Sequence, residues 1–207
     1  VEILLDATQN FKSPITNERL FGWHAALFPT GFSGIHKIEV GQYRSEEMQI
    51  VSGAMGKEKI HYHAVPANHV AHEMNAFIKW MNDNSTIDPV IKSAIAHFWF
   101  IIIHPFDDGN GRIARAISDM LLAQADGISE RYYSMSNQIL IERKQYYEIL
   151  QKVQYSSGDI TEWLYWFLNC LKNALITTQI TLQKILRKNN FWKIYENTLF
   201  NERQRLL

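Results

Sequence analysis

The segment from His104 to Arg115 constrains this chain more than any other part of its 207 residues. Its sequence is His-Pro-Phe-Asp-Asp-Gly-Asn-Gly-Arg-Ile-Ala-Arg, in which two glycines bracket Asn110. Because glycine adopts backbone angles that other residues avoid, consecutive N–H groups around Asn110 can point into one concavity. The segment therefore predicts a tight turn whose backbone can bind an anion.

A helix is predicted directly after this turn. Apolar residues recur there at the spacing of one helical face, namely Ile113, Ile117, Met120 and Leu121. The turn then lies at a helix N-terminus, where N–H groups without helical partners and the positive end of the helix dipole favour an anion. We therefore expect Gly109, Asn110 and Gly111 to bind phosphate.

The charged and titratable side chains of the segment suit a metal-bound polyphosphate. Arg112 and Arg115 are neighbours on the predicted helix, and guanidinium groups can bind phosphate oxygens bidentately. Asp108 offers a carboxylate, the ligand type that Mg²⁺ takes together with phosphates. His104, with an ordinary pKa of about 6.5, can act as a neutral base near pH 7. A capped helix start with two surface arginines is the plainer alternative, and the joint occurrence of these residues argues against it.

The segment resembles the signature of the Fic (Fic/Doc) family, His-x-Phe-x-(Asp/Glu)-Gly-Asn-Gly-Arg-x-x-Arg, at every fixed position. Most Fic enzymes transfer AMP from ATP to a hydroxyl side chain of a protein. The resemblance implies that His104 takes the proton of the target hydroxyl, that Phe106 anchors the loop in the core and that Asp108 binds Mg²⁺. It implies that ATP phosphates are held by Gly109, Asn110, Gly111, Arg112 and Arg115.

Weaker matches flank the segment on both sides. Residues 41–44, Gly-Gln-Tyr-Arg, resemble the Gly-x-Tyr-Arg stretch upstream of Fic cores. Residues 48–65 resemble the Fic flap, a β-hairpin along which an extended segment of the target protein would pair. Tyr146 and Tyr147 resemble the Tyr-Tyr stretch after the signature. We expect Tyr147 to line the nucleoside pocket by stacking on the base, with core packing of both tyrosines as the alternative.

The fold class predicted is the all-α Fic fold, a helical bundle with a small β-hairpin flap over the active site. Besides the helix after the turn, apolar periodicity and caps predict four helices and the two flap strands. Two of these helices cover residues 17–27 and 70–81. A third begins at Asp88-Pro89, and a fourth begins at an Asp159–Glu162 capping box and ends near Arg187. The predicted strands cover 48–51 and 59–65, joined by a turn at Gly53 and Gly56, and residues 37–44 are expected to be extended.

The domain prediction is a single Fic catalytic core over residues 1–207, of which about 10–190 resemble Fic proteins. Residues 191–207 are predicted to begin a linker to a C-terminal domain of the kind that longer Fic proteins carry. The resemblance implies that a helix with the pattern (Ser/Thr)-x-x-x-Glu-(Gly/Asn) can hold Fic enzymes inactive. Thr198 and Glu202 have the right spacing for this pattern, but Arg203 follows Glu202 in place of Gly or Asn. We therefore expect a core without its inhibitory helix.

Composition limits the partners. The 21 basic and 21 acidic residues give a formal net charge of zero, which argues against a dedicated nucleic-acid binder. The apolar run at 98–103 is too short to cross a bilayer, and no signal peptide is visible. We expect a cytoplasmic protein without membrane or direct nucleic-acid contact. His97, within a predicted central helix, is expected to be a hydrogen-bonded core residue.

Three functional hypotheses remain open at this stage. The first is a protein adenylyltransferase that uses ATP and Mg²⁺. The second is an enzyme that moves another phosphate-containing group or removes AMP, since the signature contacts phosphates and metal rather than the base. The third is a regulatory module that only binds nucleotide, against which the intact His104 argues, because a binder needs no base.

Overall fold

The computed structural model describes residues 2–52, 59–83, 86–196, 198, 200–201 and 203. In this part of the chain it contains eight α-helices, one 3₁₀ turn and two antiparallel β-hairpins. The helices are α1 Glu2–Gln9, α2 Asn17–Leu27, α3 Val70–Met81, α4 Pro89–Ile103, α5 Asn110–Asp126, α6 Met135–Ile141, α7 Arg143–Gln154 and α8 Thr161–Ile194. The strands are β1 Phe32–Ser33, β2 His36–Lys37, β3 Gln49–Ser52 and β4 Lys59–His63, and the 3₁₀ turn is Ala67–His69. The predicted all-α class is confirmed.

The flap hairpin predicted over 48–65 is present as β3 and β4. Gln49 pairs with His63 and Ile50 with Tyr62, but Val51 pairs with Ile60, so β4 has one extra residue at that point. A β-bulge of this kind locally increases the twist of the hairpin. The predicted turn at Gly53 and Gly56 lies outside the described residues.

The segment expected to be extended over 37–44 forms a strand only at its start. β2 ends at Lys37 and pairs with β1 in a second, very short hairpin, which the sequence did not predict. Beyond it, the chain runs along the loop between α4 and α5 and contacts it by hydrogen bonds. This stretch therefore belongs to the wall of the candidate site rather than to a sheet.

The antiparallel pair α4 and α5 forms the centre of the core. Asp88 caps α4, because its carboxylate accepts the N–H groups of Val90 and Ile91, and Pro89 occupies the first turn as predicted. On α5 the predicted apolar face is buried at Ile113, Ile117, Met120 and Leu121. Trp163 of α8 is fully buried and donates its indole N–H to the carbonyl of Ala94 at 2.7 Å. Two buried helices thus converge on the loop that joins them.

Two predictions about α8 are wrong. The helix does not end near Arg187 but continues to Ile194, so residues 191–194 are helical. The boundary near Arg187 was predicted from the end of the apolar face. The backbone N–H and C=O groups of a helix pair with each other, so the helix can continue beyond its apolar face. The capping box is also absent: Asp159 accepts the N–H of Thr161, and Glu162 instead pairs with Lys152 at 2.6 Å. No helix among the described residues is long and apolar enough to cross a membrane.

His97 is a hydrogen-bonded core histidine, as predicted. Its Nδ1 lies 2.9 Å from the hydroxyl of Ser118 and its Nε2 lies 3.1 Å from the hydroxyl of Tyr146. Ser118 already donates its proton to the carbonyl of Ala114, so the Nδ1–H group must be the donor to Ser118. The neutral ring therefore accepts the proton of Tyr146 at Nε2. Burial lowers the pKa of His97 to about 3, because the charged form cannot be solvated there.

We expect His97 to make the protein sensitive to acid. Its pKa is about 3 in the folded state and about 6.5 when unfolded, so between these values only the unfolded chain binds the proton. The free energy of unfolding should fall by about 1.4 kcal/mol for each pH unit below 6.5 on account of this residue. In His97→Gln the free energy of unfolding should fall less steeply with decreasing pH, by this amount per pH unit. Urea titrations from pH 7 to pH 4 measure the two slopes. The exposed His72→Gln, on α3, serves as the control, and equal slopes for wild type and His97→Gln would contradict the assignment.

Candidate active site

His104 occupies the position directly after α4 in a left-handed backbone conformation, with φ 51° and ψ 60°. Among the described residues it is the only non-glycine residue with a positive φ. This conformation costs a residue with a β-carbon about 1–2 kcal/mol, so surrounding contacts must stabilise it. The Nδ1 atom lies 3.2 Å from the carbonyl of Ile101 and must donate to it. In the neutral ring, Nε2 therefore carries the lone pair.

Arg44 fixes the backbone around His104. Its Nε donates to the carbonyl of His104 at 2.7 Å, and its backbone N–H donates to the carbonyl of Pro105 at 2.9 Å. The other guanidinium nitrogens donate to the carbonyls of Glu46 and Val65, and the residue is only 3% exposed. Buried charge is tolerated here because carbonyl oxygens surround it. Arg44 thus links the candidate base to the end of the flap segment, a role that the sequence did not reveal.

The pKa of His104 is lowered to about 4. Burial of the ring is the main cause, and the positive charge of Arg44 adds to it, whereas the Ile101 carbonyl and Asp108 act in the opposite direction. The imidazole is therefore neutral throughout the physiological pH range. A neutral imidazole is the form that can accept a proton.

Phe106 and Asn110 give the loop its shape. Phe106 is fully buried, as predicted for an anchor. The side chain of Asn110 is 1% exposed, and its amide accepts from the N–H of Phe106 at 3.0 Å and donates to the carbonyl of Phe106 at 2.7 Å. The Asn110 amide is therefore occupied within the loop. Only its backbone N–H, in the first turn of α5, stays available for the predicted phosphate contact.

Gly109 is required by its surroundings, whereas Gly111 shows where Arg115 lies. Gly109 has a φ of 83°, and a β-carbon there would approach Leu27 and Phe28 to 3.0 Å. At Gly111 a β-carbon would lie 3.4 Å from Nη1 of Arg115. The guanidinium of Arg115 therefore lies over the first turn of α5. This arrangement places a permanent positive charge beside the N–H groups of a helix N-terminus.

Asp108 presents a carboxylate at the edge of the same turn. One carboxylate oxygen accepts from the hydroxyl of Ser33 at 2.5 Å and the other from the N–H of Gly109 at 2.5 Å. Arg112 approaches the carboxylate only to 3.5 Å, and both side chains are nearly half exposed, so this ion pair contributes little stability. Arg112 also stacks on the ring of Phe28 at 4.7 Å. Its guanidinium is therefore available for another anion.

One acidic residue of the loop, Asp108, fits a metal ion that arrives with phosphate. Asp107, which precedes Asp108, is directed elsewhere and accepts the N–H of Glu39 at 2.8 Å. In the part of the chain that the structure describes, no group of three or more His, Cys, Asp or Glu residues forms a complete metal site. Mg²⁺ commonly binds one or two carboxylates and completes its coordination with phosphate oxygens and water. Asp108 fits this kind of site.

The two tyrosines after the signature have different surroundings. Tyr146 is buried and bonded to His97, so it is a core residue. Tyr147 is more exposed than Tyr146, and both line a cavity of about 320 Å³ together with Arg115 and Arg143. This volume is at the lower end of the range of small-molecule sites. Arg115 lines this cavity and also lies over the first turn of α5, so Tyr147 is in the same neighbourhood as the predicted phosphate site.

The functional contacts that sequence reasoning missed come from Arg44, His24 and Ser33. His24 contacts the carbonyl of Asp108 across 84 residues of sequence, and Ser33 contacts its carboxylate across 75. No spacing rule connects positions that far apart. The only available signal was Arg44, which belongs to the upstream stretch at 41–44.

The helical core carries a hairpin flap and a glycine-bracketed helix N-terminus, and a comparison of sequences identifies the class of protein that has this combination. A model of the Fic/DOC family matches residues 14–122, which is just over half of the chain, so the chain belongs to the Fic/DOC family.

Related proteins agree with this assignment. The protein adenylyltransferase Fic of Nematostella vectensis is 29% identical over 143 residues, 68% of this chain and 29% of that protein. The protein adenylyltransferase fic-1 of Caenorhabditis elegans is 38% identical over 63 residues, 30% of this chain and 12% of that protein. These alignments span less than a third of either relative. The crystal structure of a Fic family protein from Desulfovibrio desulfuricans superposes with a TM-score of 0.68 at 25% identity, over 84% of this chain and 51% of that one.

We expect the left-handed backbone at His104 to be visible in protein stability. Glycine avoids the β-carbon crowding of this conformation, so His104→Gly should be more stable than His104→Ala by about 1 kcal/mol. The comparison is made by urea unfolding. At the exposed helical position Lys79 on α3 the order should reverse, with Lys79→Ala more stable than Lys79→Gly by about 1 kcal/mol. If the Ala variant is the more stable one at both positions, His104 carries no backbone strain.

Proposed function

We propose that this chain is a protein adenylyltransferase that transfers AMP from ATP to a hydroxyl side chain of a target protein, with Mg²⁺ as the metal. The observation that carries the proposal is the loop between α4 and α5. Within twelve residues it brings a neutral imidazole, an exposed carboxylate and a helix N-terminus with two arginines into one site. The names of the curated relatives support the same activity.

The phosphates of ATP would bind at the N-terminus of α5. The first N–H groups of a helix have no partners within the helix, and here they belong to Asn110 and Gly111. Arg115 lies over this turn and would bind the outer phosphates from the side. Arg112 would turn from its weak contact with Asp108 to the phosphates, because bidentate charged hydrogen bonds are stronger than an exposed ion pair.

Asp108 would hold Mg²⁺ against the phosphates. The metal would supply charge neutralisation for the triphosphate and for the pyrophosphate that leaves. The chain's own contribution is to orient the carboxylate, because the hydroxyl of Ser33 donates to one of its oxygens and the N–H of Gly109 donates to the other. A carboxylate has about four lone-pair positions, so these two bonds leave room for a metal ion.

His104 would act as the general base. The oxygen of the target hydroxyl forms a bond to the α-phosphorus, the bond from that phosphorus to the β-phosphate oxygen breaks, and pyrophosphate leaves. The hydroxyl proton passes to Nε2 of His104, which carries the lone pair because Nδ1 donates to Ile101. A pKa of about 4 makes a weak base. The negative charge of bound ATP would raise this pKa toward neutrality, where proton transfer is most effective.

The nucleoside and the target protein would lie on either side of the phosphates. Tyr147 lines the cavity beside Arg115, where its ring can stack on the base. The target would bind as an extended segment along the flap, residues 48–65. β3 and β4 pair only with each other in the described structure, so backbone groups at the sheet edge can pair with a further strand.

Two other functions use the same site. Transfer of UMP, phosphocholine or phosphate, or removal of AMP, would also need phosphate binding, and the signature residues do not contact a base. A module that only binds nucleotide is disfavoured by the left-handed conformation of His104, because strained residues persist mainly where function requires them. The cytoplasmic location and the linker from residue 191 stay predictions.

The activity is tested by incubating the chain and Mg²⁺ with a cell lysate and ATP, GTP, UTP or CTP, each labelled on the α-phosphate. Label from ATP should appear on protein, and His104→Ala should abolish it. Label from another nucleotide in preference to ATP would support the second function instead. No protein label from any nucleotide would contradict a nucleotidyltransferase.

We expect Asp108→Ala to remove the Mg²⁺ dependence of ATP binding, because it removes the carboxylate predicted to hold the metal. Titration calorimetry with ATP, with and without Mg²⁺, measures the effect. Asp107→Asn is the matched control, since it removes a neighbouring charge and keeps an oxygen that can accept the N–H of Glu39. An Asp108→Ala protein in which Mg²⁺ still strengthens ATP binding would exclude Asp108 as the ligand.

We expect His104→Ala to lose AMP transfer while it keeps ATP affinity nearly unchanged. The substitution leaves Asp108, Arg112 and Arg115 in place, whereas general base catalysis typically contributes about 10²–10⁴-fold to rate. Arg115→Ala should lower both affinity and rate, because its guanidinium lies over the phosphate site. Affinity and transfer are measured for each variant on one target. If His104→Ala loses as much affinity as Arg115→Ala, His104 is a binding residue rather than the base.

A further inference from the structure

His24, on α2, makes three contacts with the candidate site although it lies far from the signature in sequence. The residue is fully buried. Its Nε2 is 3.1 Å from the carbonyl oxygen of Asp108, and its Nδ1 is 3.1 Å from the backbone nitrogen of Gly41. Its ring stacks on Phe106 with centroids 4.3 Å apart and an interplanar angle of 9°. One side chain therefore contacts the loop at two residues and the upstream wall at a third.

The hydrogen bonds determine the tautomer of His24. The N–H of Gly41 can only donate, so Nδ1 must accept. The proton of the neutral ring is then on Nε2, which donates to the carbonyl of Asp108. Burial lowers the pKa of His24 despite the nearby charges of Asp107 and Asp108, and the positive charge of Arg112 acts in the same direction as burial. The ring is thus a fixed donor on one side and a fixed acceptor on the other.

Ser33 contacts the side chain of Asp108, whereas His24 contacts its main chain. It lies on β1, and its hydroxyl donates to a carboxylate oxygen of Asp108 at 2.5 Å. His24 therefore fixes the main chain of Asp108 and Ser33 fixes its side chain. Neither residue belongs to the signature segment. The hydrogen bond between His24 and Gly41 joins the two ends of the segment that runs from α2 through β1 and β2, and Ser33 lies within this segment.

We propose that His24 and Ser33 are positioning residues for the metal ion, and that they set the affinity of the site for Mg²⁺ by fixing the main chain and the carboxylate of Asp108. The inference rests on the proposed function. Mg²⁺ requires near-ideal octahedral geometry, so the direction of a ligand oxygen matters more for it than for larger cations. Partners that orient a metal ligand typically contribute about 10–100-fold to metal affinity.

The contacts of Asp108 also indicate which one the metal replaces. The bonds from Ser33 and Gly109 are short, whereas Arg112 is at 3.5 Å and nearly half exposed. A metal ion can displace the weak contact with Arg112 and leave the two short bonds in place. Arg112 is then released toward phosphate at the same time as Asp108 binds the metal. The positioning contacts thus favour the joint binding of Mg²⁺ and ATP.

Substitutions at His24 can separate its contacts. His24→Phe keeps a ring against Phe106 and loses both hydrogen bonds. His24→Gln places an amide near the position of Nε2, so it can still donate to the carbonyl of Asp108. His24→Asn places an amide near Nδ1, so it can still accept from Gly41 but cannot reach Asp108. At Ser33, the variants Ser33→Ala and Ser33→Thr respectively remove and keep the hydroxyl.

The measurement is the gain in ATP affinity that Mg²⁺ produces, from titration calorimetry with and without the metal. We expect His24→Phe, His24→Asn and Ser33→Ala to reduce this gain by about 10-fold or more. Their ATP affinity without Mg²⁺ should stay within about two-fold of wild type, because the phosphate residues are untouched. His24→Gln and Ser33→Thr should retain most of the gain. A role in packing alone would instead make the His24 variants alike and weaken ATP binding with and without the metal.

The outcomes separate this inference from the proposed function. If His24→Phe and Ser33→Ala keep the full Mg²⁺ effect while Asp108→Ala loses it, the positioning role is wrong and the metal role of Asp108 stands. If Asp108→Ala also keeps the effect, both are wrong. Ser33 lies on a two-residue strand at the surface, so its Ala and Thr variants test the inference even where a His24 variant fails to fold.

Discussion

The backbone of residues 104–109 has to connect two buried helices without leaving its polar groups unpaired. α4 ends at Ile103 and α5 begins at Asn110, and both helices lie in the centre of the core. Buried carbonyl groups without partners cost free energy, so the turn depends on donors from elsewhere. Arg44 supplies them for His104 and His24 supplies one for Asp108. The geometry of the whole site follows from how these few carbonyls are satisfied.

Because of this requirement, the residues that hold the loop in shape also determine the chemical properties of the candidate site. The left-handed backbone conformation of His104 is one that a residue with a β-carbon adopts at a cost, and the hydrogen bond from Arg44 to its carbonyl helps to offset that cost. Arg44 also adds positive charge that lowers the pKa of His104. The imidazole of His104 is therefore neutral, and in the proposed mechanism the phosphates of ATP would raise its basicity. The proposed mechanism needs no separate switch for the protonation state.

Much of the local structure could be predicted from the sequence. The bounds of α2 and α3, the cap at Asp88 and the two flap strands follow from periodicity and from signals within about four residues. The end of α8 and the start near Asp159 could not be predicted in the same way. At the end of α8 the apolar pattern suggested a boundary that the helix passes. At its start Asp159 and Glu162 suggested a capping box, but Glu162 forms an ion pair with Lys152 of α7. The partner of Glu162 therefore lies on the preceding helix rather than at the start of its own.

By itself, the sequence determined the all-α class, the family and which residues form the loop, because the segment from His104 to Arg115 carries its chemistry in adjacent positions. Only the tertiary structure decided that the amide of Asn110 is occupied by Phe106, and that Arg44, His24 and Ser33 support the loop. The reason is physical. Most of these partners are backbone groups, which every residue possesses, so no residue type marks them in the sequence. They become specific only when the fold brings a donor and a carbonyl together.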